Sequence, residues 1–270
     1  MAFKDILLIC DNSQPCPDRL QLAVNLARKH QAHLTGLFVF PHRWGKSQDE
    51  HLELAAGQLE ELFRQKTAEQ EVSSSWVREQ CAGSGDSVSG IIARHTQVTD
   101  LVVLGQTDPD RSDQHLPADL PERLIIGGGR PVLLVPYAGT FASVGDRVLV
   151  GWRGGRESTR AVSDALPLLK AAKFVRILTI NPPEEGQELE HLFANELCLH
   201  LGRHGIVAEP EQILTGPLSV GDTLLNRLTD QAADLLVMGV YAQNRLGGQT
   251  LGEVGRHLLR HMTVPVLMSH

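Results

Sequence analysis

The stretch Val237–Gly255, VMGVYAQNRLGGQTLGEVG, carries the residue types from which a phosphate cradle is built. An apolar run ends in Gly239, a polar loop with Gly247 and Gly248 follows, and EVGRHLLRH reads as the start of a helix. Glycines let a backbone approach a ligand or take up φ > 0. The first amides of a helix have no partner inside it and can hold an anion. In this reading Gly239 and Gly252 present backbone amides. Arg245 either clamps a phosphate or is a solvated loop arginine. Two residues oppose the reading. Ala242 adds a methyl, at small cost if its φ is negative and at roughly 1 kcal/mol or more if it is positive. Glu253 places a carboxylate in the first helical turn, where it stabilises the helix by up to ~1 kcal/mol and competes with a phosphate for the same partial positive charge.

Other groupings carry less. GDSVSG, Gly85–Gly90, invites Ser87 as a nucleophile, but the pattern is not G-x-S-x-G, and a helix cap at Asp86 or Ser87 explains it equally well. His257 and His261, and likewise His200 and His204, are spaced to share a helix face, but neither pair has a third ligand, so no metal site is assigned. Cys10 ends an apolar run beside Asp11 and reads as a redox-sensing thiol or as a small buried hydrophobe. The tryptophans Trp44, Trp76 and Trp152 are scattered and make no stacking platform for single-stranded nucleic acid. No catalytic residue is assigned.

The chain has 270 residues, 42% of them hydrophobic, and a formal charge of −7. That is enough for one large or two ordinary cored domains, and it argues against disorder and against a nucleic-acid footprint. No run approaches the ~20 apolar residues of a membrane helix. MAFKDILLIC, with Lys4 and Asp5, does not read as a signal peptide. The four cysteines lack C-x-x-C spacing, which fits a reducing, cytoplasmic setting without structural zinc.

The elements that would position these residues occur twice. DLVVLG at Asp100 returns as DLLVMG at Asp234, and PVLLV at Pro131 as PVLMS at Pro265, both 134 residues on. GDS at Gly85 pairs with GDT at Gly221, which sets Thr223 against Ser87, and DILLICDNS at Asp5 pairs with RVLVGWRGG at Arg147. The expectation is two units, 1–138 and 146–270, joined through PYAGTFASVGD. In each, short apolar strands alternate with helical patterns such as Leu20, Ala23, Leu26 and Ala27. The last strands are expected at Val132–Val135 and Val264–Met268, and a helix at Glu253–His261. Alternating β and α with apolar strands implies α/β units with open parallel sheets, whose ligands sit at the strand carboxyl ends where strand order switches.

The chain resembles the universal stress protein family in its tandem form. The likeness rests on ICDNS, ADLLVMG, the Val237–Gly255 stretch and the ending GRHLLRHMTVPVLM, and it spans nearly the whole sequence. It implies two doubly wound α/β domains, each with a five-stranded parallel sheet in order 3-2-1-4-5. It also implies an intramolecular pseudo-dimer through the fifth strands. ATP-binding members carry G-x2-G-x9-G-[S/T] after strand four and an aspartate after strand one. Here Gly239 and Gly252 match, while Ala242 and Glu253 depart from the pattern. In the first copy Asp11 and Ser13 match the strand-one end, but Asp108 takes the second glycine's place, and in the second copy Arg153 replaces the aspartate. The resemblance thus implies a cytoplasmic stress-response protein with a small-ligand or nucleotide-sensing cleft in the second domain. Its expected ligand is ATP or another adenine nucleotide, held by Gly239, Ala242, Arg245, Gly252 and Glu253, with Asp11 keeping the nucleoside end of the first copy. A protein partner of unknown identity is expected, nucleic acid and membrane are not, and the chain would act as a monomeric pseudo-dimer or a homodimer. The alternatives are a slow ATPase or adenylate-handling enzyme, and a structural pseudo-dimer with two inactive pockets that works through protein contacts.

Overall fold

The computed structural model describes residues 2–41, 46–81, 87–111, 114–181, 187–214, 216–245 and 248–270, with the backbone alone at 46–49, 181, 187–193, 244, 245 and 248. Two compact units are formed, Ala2–Ser143 and Val144–His270.

The first unit runs β1 (Asp5–Cys10), α1 (Cys16–His30), β2 (His33–Phe40), α2 (Lys46–Glu69), β3 (Ser74–Gln80), α3 (Val88–Thr96), β4 (Leu101–Gly105), α4 (Leu120–Gly127) and β5 (Val132–Val135). Its strands pair in parallel in the order β3-β2-β1-β4-β5. β1, β4 and β5 are apolar and almost wholly buried, as strands covered by helices on both faces must be. The edge strand β3 alternates, with Glu79 and Arg78 on opposite sides of it.

The second unit repeats the plan with β6 (Arg147–Gly151), α5 (Gly155–Leu169), β7 (Phe174–Asn181), α6 (Gln187–Arg203), β8 (Ala208–Leu214), α7 (Val220–Asp230), β9 (Leu235–Gly239), β10 (Ala242–Arg245), β11 (Gly248–Leu251), α8 (Glu253–His261) and β12 (Val266–Ser269). The parallel order β8-β7-β6-β9-β12 is again 3-2-1-4-5. The duplicated aspartate of DLVVLG and DLLVMG has the same use in both units. Asp100 accepts hydrogen bonds from the amides of Lys4 and Asp5 at 2.6 and 3.1 Å, and Asp234 from those of Asp146 and Arg147 at 2.9 and 2.8 Å. Each carboxylate satisfies the free amides where the first strand enters the sheet.

Two local readings change. The segment Val240–Leu251, expected as an irregular loop, contains an antiparallel ribbon in which Ala242 opposes Leu251 and Asn244 opposes Gln249. The repeat register around the third helix also shifts. Ser87 caps α3 by accepting the Gly90 amide at 3.0 Å, and its counterpart is Ser219, which caps α7 by accepting the Asp222 amide at 3.1 Å. Thr223 lies a turn inside α7 and donates to the Ser219 carbonyl at 2.9 Å. Gly85 and Asp86 lie outside the described residues. Both serines are therefore caps, and Ser87→Ala or Ser219→Ala is expected to cost about 1 kcal/mol, measured by urea unfolding. A cost near zero for both would mean that the caps do not hold in solution.

Candidate functional site

In the first unit the strand order switches between β1 and β4, and a cleft open to solvent lies beyond their carboxyl ends, lined among others by Asp11, Ser13, Arg19, Gly105, Thr107 and Arg111. Asp11 follows β1 directly. Its Oδ1 accepts the Ser13 amide at 2.8 Å, which folds the strand back into α1. Its Oδ2 accepts Arg19 Nη2 at 2.6 Å. The Arg19 side chain is 3% exposed and that of Asp11 13%. Burial pushes the Asp11 carboxyl up, but the guanidinium and the Ser13 hydrogen bonds outweigh it and hold the group below the usual carboxylate range. Arg19 lies across Gly105, where a Cβ would meet Nη1 at 2.1 Å. The aspartate expected to face a nucleoside is thus paired within the chain, and the guanidinium occupies the space above the glycine.

Sequence reasoning missed Arg19, although a signal existed. Arg19 stands four residues before Ala23 and seven before Leu26, on the apolar stripe of α1, where a charge requires a buried partner.

The segment after β4 is tied over the same strand ends by Asn12. Its carbonyl accepts Arg111 Nη2 at 3.4 Å, and its Oδ1 lies 3.0 Å from His115 Nδ1. The His115 ring stacks on Phe38 with centroids 4.8 Å apart and an interplanar angle of 15°. Burial lowers its pKa to about 4, against a smaller opposing pull from Asp11, so it is neutral at pH 7 and Nδ1–H donates to Asn12.

In the second unit the equivalent strand ends are those of β6 and β9. Gly239 closes β9, and a Cβ there would lie 2.2 to 2.4 Å from backbone atoms of Glu157 and Ser158. The glycine admits the first turn of α5 against the strand. That helix starts from Gly154 and Gly155, at φ +77° and +78°, in the left-handed region that glycine occupies freely. The Arg153 amide lies 3.5 Å from Ser158 Oγ, matching the 3.5 Å approach of the Asp11 amide to Cys16 Sγ in the first unit. That register sets Ala161, 1% exposed, opposite Arg19, so the second unit lacks the guanidinium that covers Gly105.

The remaining predicted residues follow β9. Ala242 opens β10 in an extended strand, where its methyl carries no left-handed strain. Arg245 pairs with Gly248 through the backbone, and its side chain, like Gly247, lies outside the described residues. Gly252 has φ −59°, open to any residue, and its amide donates to the Tyr241 carbonyl at 2.8 Å. That amide is therefore committed at the base of the ribbon. The amides without an intrahelical acceptor are those of Glu253, Val254 and Gly255, because the Arg256 amide already reaches the Gly252 carbonyl at 3.1 Å. Neither α5 nor α8 has a side-chain cap, and Glu253 is exposed. Of the six predicted site residues, Gly239 ends β9, four lie in the chain between it and the start of α8, and Asp11 belongs to the other unit.

His257 meets Asp222 at 3.0 Å and lies 4.7 Å from His261, ring to ring, and His200 and His204 are 4.8 Å apart. Among the described residues, no group of three or more His, Cys, Asp or Glu is placed to hold a metal, and no helix is long and apolar enough to cross a membrane.

Two doubly wound α/β units, each with its strand order switching above a cleft or helix start, define the class of the molecule. Residues 145–270 match the model of the Universal stress protein family. A universal stress protein from Archaeoglobus fulgidus DSM 4304 superposes with a TM-score of 0.75 at 16% identity, over 98% of this chain and 97% of that one. A functionally unknown protein from Pseudomonas aeruginosa PAO1 superposes with a TM-score of 0.65 at 19% identity, over 99% and 92%. No curated protein matches the chain. The second unit thus matches the universal stress protein family, and the first unit repeats its strand order.

Proposed function

We propose that this chain is a non-catalytic, cytoplasmic stress-response protein whose second unit senses a phosphate-bearing small ligand, with ATP or another adenine nucleotide as the first candidate. The observation that carries the reading is the difference between the two units. Arg19 and Asp11 fill the strand-end position of the first, whereas Ala161 and Arg153 stand there in the second. Around β9 the uncapped starts of α5 and α8 supply amides for an anion, and Arg245 supplies charge. Occupancy would bias the Ala242–Leu251 ribbon and so alter the surface offered to a protein partner.

The test is calorimetric titration of the nucleotide-free full-length protein with ATP and Mg²⁺. Micromolar binding is expected, tightened about three- to fivefold in Glu253→Ser as the competing carboxylate leaves the helix start. A second reading has its own support: the Gly252 amide is committed to Tyr241, and the backbone of α5 closes on Gly239. In that reading both pockets are closed and the protein works through protein contacts alone. Failure of both wild type and Glu253→Ser to bind would sink the nucleotide proposal and leave this one.

A further inference from the structure

Two cysteines of the first unit lie together. Cys10 ends β1, Cys16 begins α1, and both are 0% exposed and unbridged. The Asp11 amide, which follows Cys10 directly in the chain, donates to Cys16 Sγ at 3.5 Å and so brings the two cysteines together. Arg19, one helical turn beyond Cys16, places a buried positive charge beside both sulfurs.

We propose that Cys10 and Cys16 form a peroxide-responsive dithiol that closes to a disulfide beside the first unit's cleft. The two sulfurs differ in the way such chemistry requires. The hydrogen bond from Cys10, helped by Arg19 and opposed by burial, draws the Cys16 thiol below its ordinary pKa. Cys16 also sits at the first position of α1, where the helix dipole favours a thiolate. Burial, and then the hydrogen bond with Cys16, push Cys10 well above its ordinary value. Cys16 is the attacking sulfur and Cys10 the resolving one. Both sulfurs are buried, and peroxide would enter from the neighbouring cleft, whose lining residues Asp11 and Pro15 directly adjoin Cys10 and Cys16 in the chain.

The chemistry balances with a hydroperoxide as oxidant. The Cys16 thiolate attacks the peroxide O–O bond, takes one oxygen as a sulfenic acid, and releases an alcohol, or water from hydrogen peroxide, once the leaving oxygen is protonated. The Cys10 sulfur then attacks the sulfenic sulfur. The S–S bond forms, and the hydroxyl leaves as water with the Cys10 proton. Two thiols are oxidised by two electrons and one peroxide is reduced.

The fold does not need sulfur at this turn. In the second unit Ser158 takes the place of Cys16 and receives the Arg153 amide at the same 3.5 Å, while Trp152 stands opposite Cys10. A hydroxyl meets the structural requirement, so the thiol pair adds a reactivity that the turn itself does not call for. The proposal concerns the first unit and stands whether or not the second binds ATP.

The reduced full-length protein, treated with equimolar hydrogen peroxide and quenched with iodoacetamide under denaturing conditions, tests it by mass spectrometry. Two of the four thiols should escape alkylation. The mass should fall by about 2 Da before alkylation, and the bridge should map to Cys10–Cys16 and open with dithiothreitol. Cys198, the more exposed thiol, should oxidise about tenfold more slowly. In Cys10→Ser the reaction should stop at a Cys16 sulfenic acid that dimedone captures. Oxidation of Cys198 while Cys10 and Cys16 stay reduced would overturn the proposal, as would passage of Cys16 to sulfinic acid in the wild type without a bridge. The wild-type measurement needs no variant to fold.

Discussion

Gly239→Ala is expected to be the most damaging small substitution after β9. The added carbon would fall 2.2 Å from the Glu157 carbonyl carbon, 2.4 Å from its oxygen and 2.4 Å from the Ser158 nitrogen. All three are backbone atoms in the first turn of α5, so no rotamer change relieves the clash. The helix must lift from β9, which opens a core containing Ala161, Leu236 and Val237, all at most 1% exposed. Overpacking of this kind costs about 1–3 kcal/mol where side chains can adjust, and the upper end or beyond is expected against fixed backbone. Gly252→Ala is the control. At φ −59°, with the nearest atom, the Tyr241 oxygen, 3.4 Å from the new Cβ, it should change stability by less than about 0.5 kcal/mol. Gly105→Ala should fall between them, because the obstacle there is the tip of the Arg19 side chain. Hydrogen exchange read on β9 and α5 reports each effect where it occurs. A Gly239→Ala protein with wild-type protection in both segments would show that α5 does not rest on the strand as described.

This prediction also separates two reasons for one glycine. In the family pattern Gly239 reads as a phosphate-loop residue, whereas in the structure its missing side chain is required by a helix. Both can hold at once, so the glycine alone is weak evidence for a ligand. Most of the architecture was legible in sequence because it rests on periodicity. The apolar runs of β1, β4, β5 and β9 and the duplicated DLVVLG and DLLVMG marked the strands and the repeat, whereas the order 3-2-1-4-5 was implied by the family resemblance. Three features were not legible, for identifiable reasons. The ribbon strands read AQNR and GQTL, mostly polar and without an apolar alternation, so the sequence carries no strand signal there. The correspondence of Ser87 with Ser219 was hidden by a closer match of letters at GDS and GDT, because a cap is defined by where the helix starts and not by local identity. The closure of the first unit's strand end depends on Arg19 meeting Asp11 across eight residues. A charge on an apolar stripe announces that a partner exists but does not say which.

Removing that partner is the second large effect expected. In Asp11→Asn the amide oxygen can still accept the Ser13 amide, so the turn survives. The Arg19 guanidinium, 3% exposed, then loses the carboxylate that pairs with it. An uncompensated buried charge typically costs about 3–5 kcal/mol. Arg19→Met should cost less, because Asp11 is the more exposed member and keeps its bonds to Ser13. The double variant Asp11→Asn/Arg19→Met should recover most of the loss, since no charge remains to be satisfied. Acid should act on the first unit in two stages. His30 and His115 are held neutral with pKa values of about 4, in each case mainly by burial. Between pH ~6.5 and 4 the unfolded chain takes up protons that the fold refuses, and stability falls. Asp11 has a folded pKa below its unfolded value, so its contribution is complete above the ordinary carboxylate pKa of ~3.9 and is lost as the pH falls through the lower folded value. Asp11→Asn should therefore shrink the step below pH 4 and leave the histidine step in place. Hydrogen exchange on β1 and β4 across pH 3 to 7 resolves the two stages. Equal acid sensitivity of wild type and Asp11→Asn below pH 4, or a double variant no more stable than Asp11→Asn, would show that the Arg19–Asp11 pair does not govern this strand end.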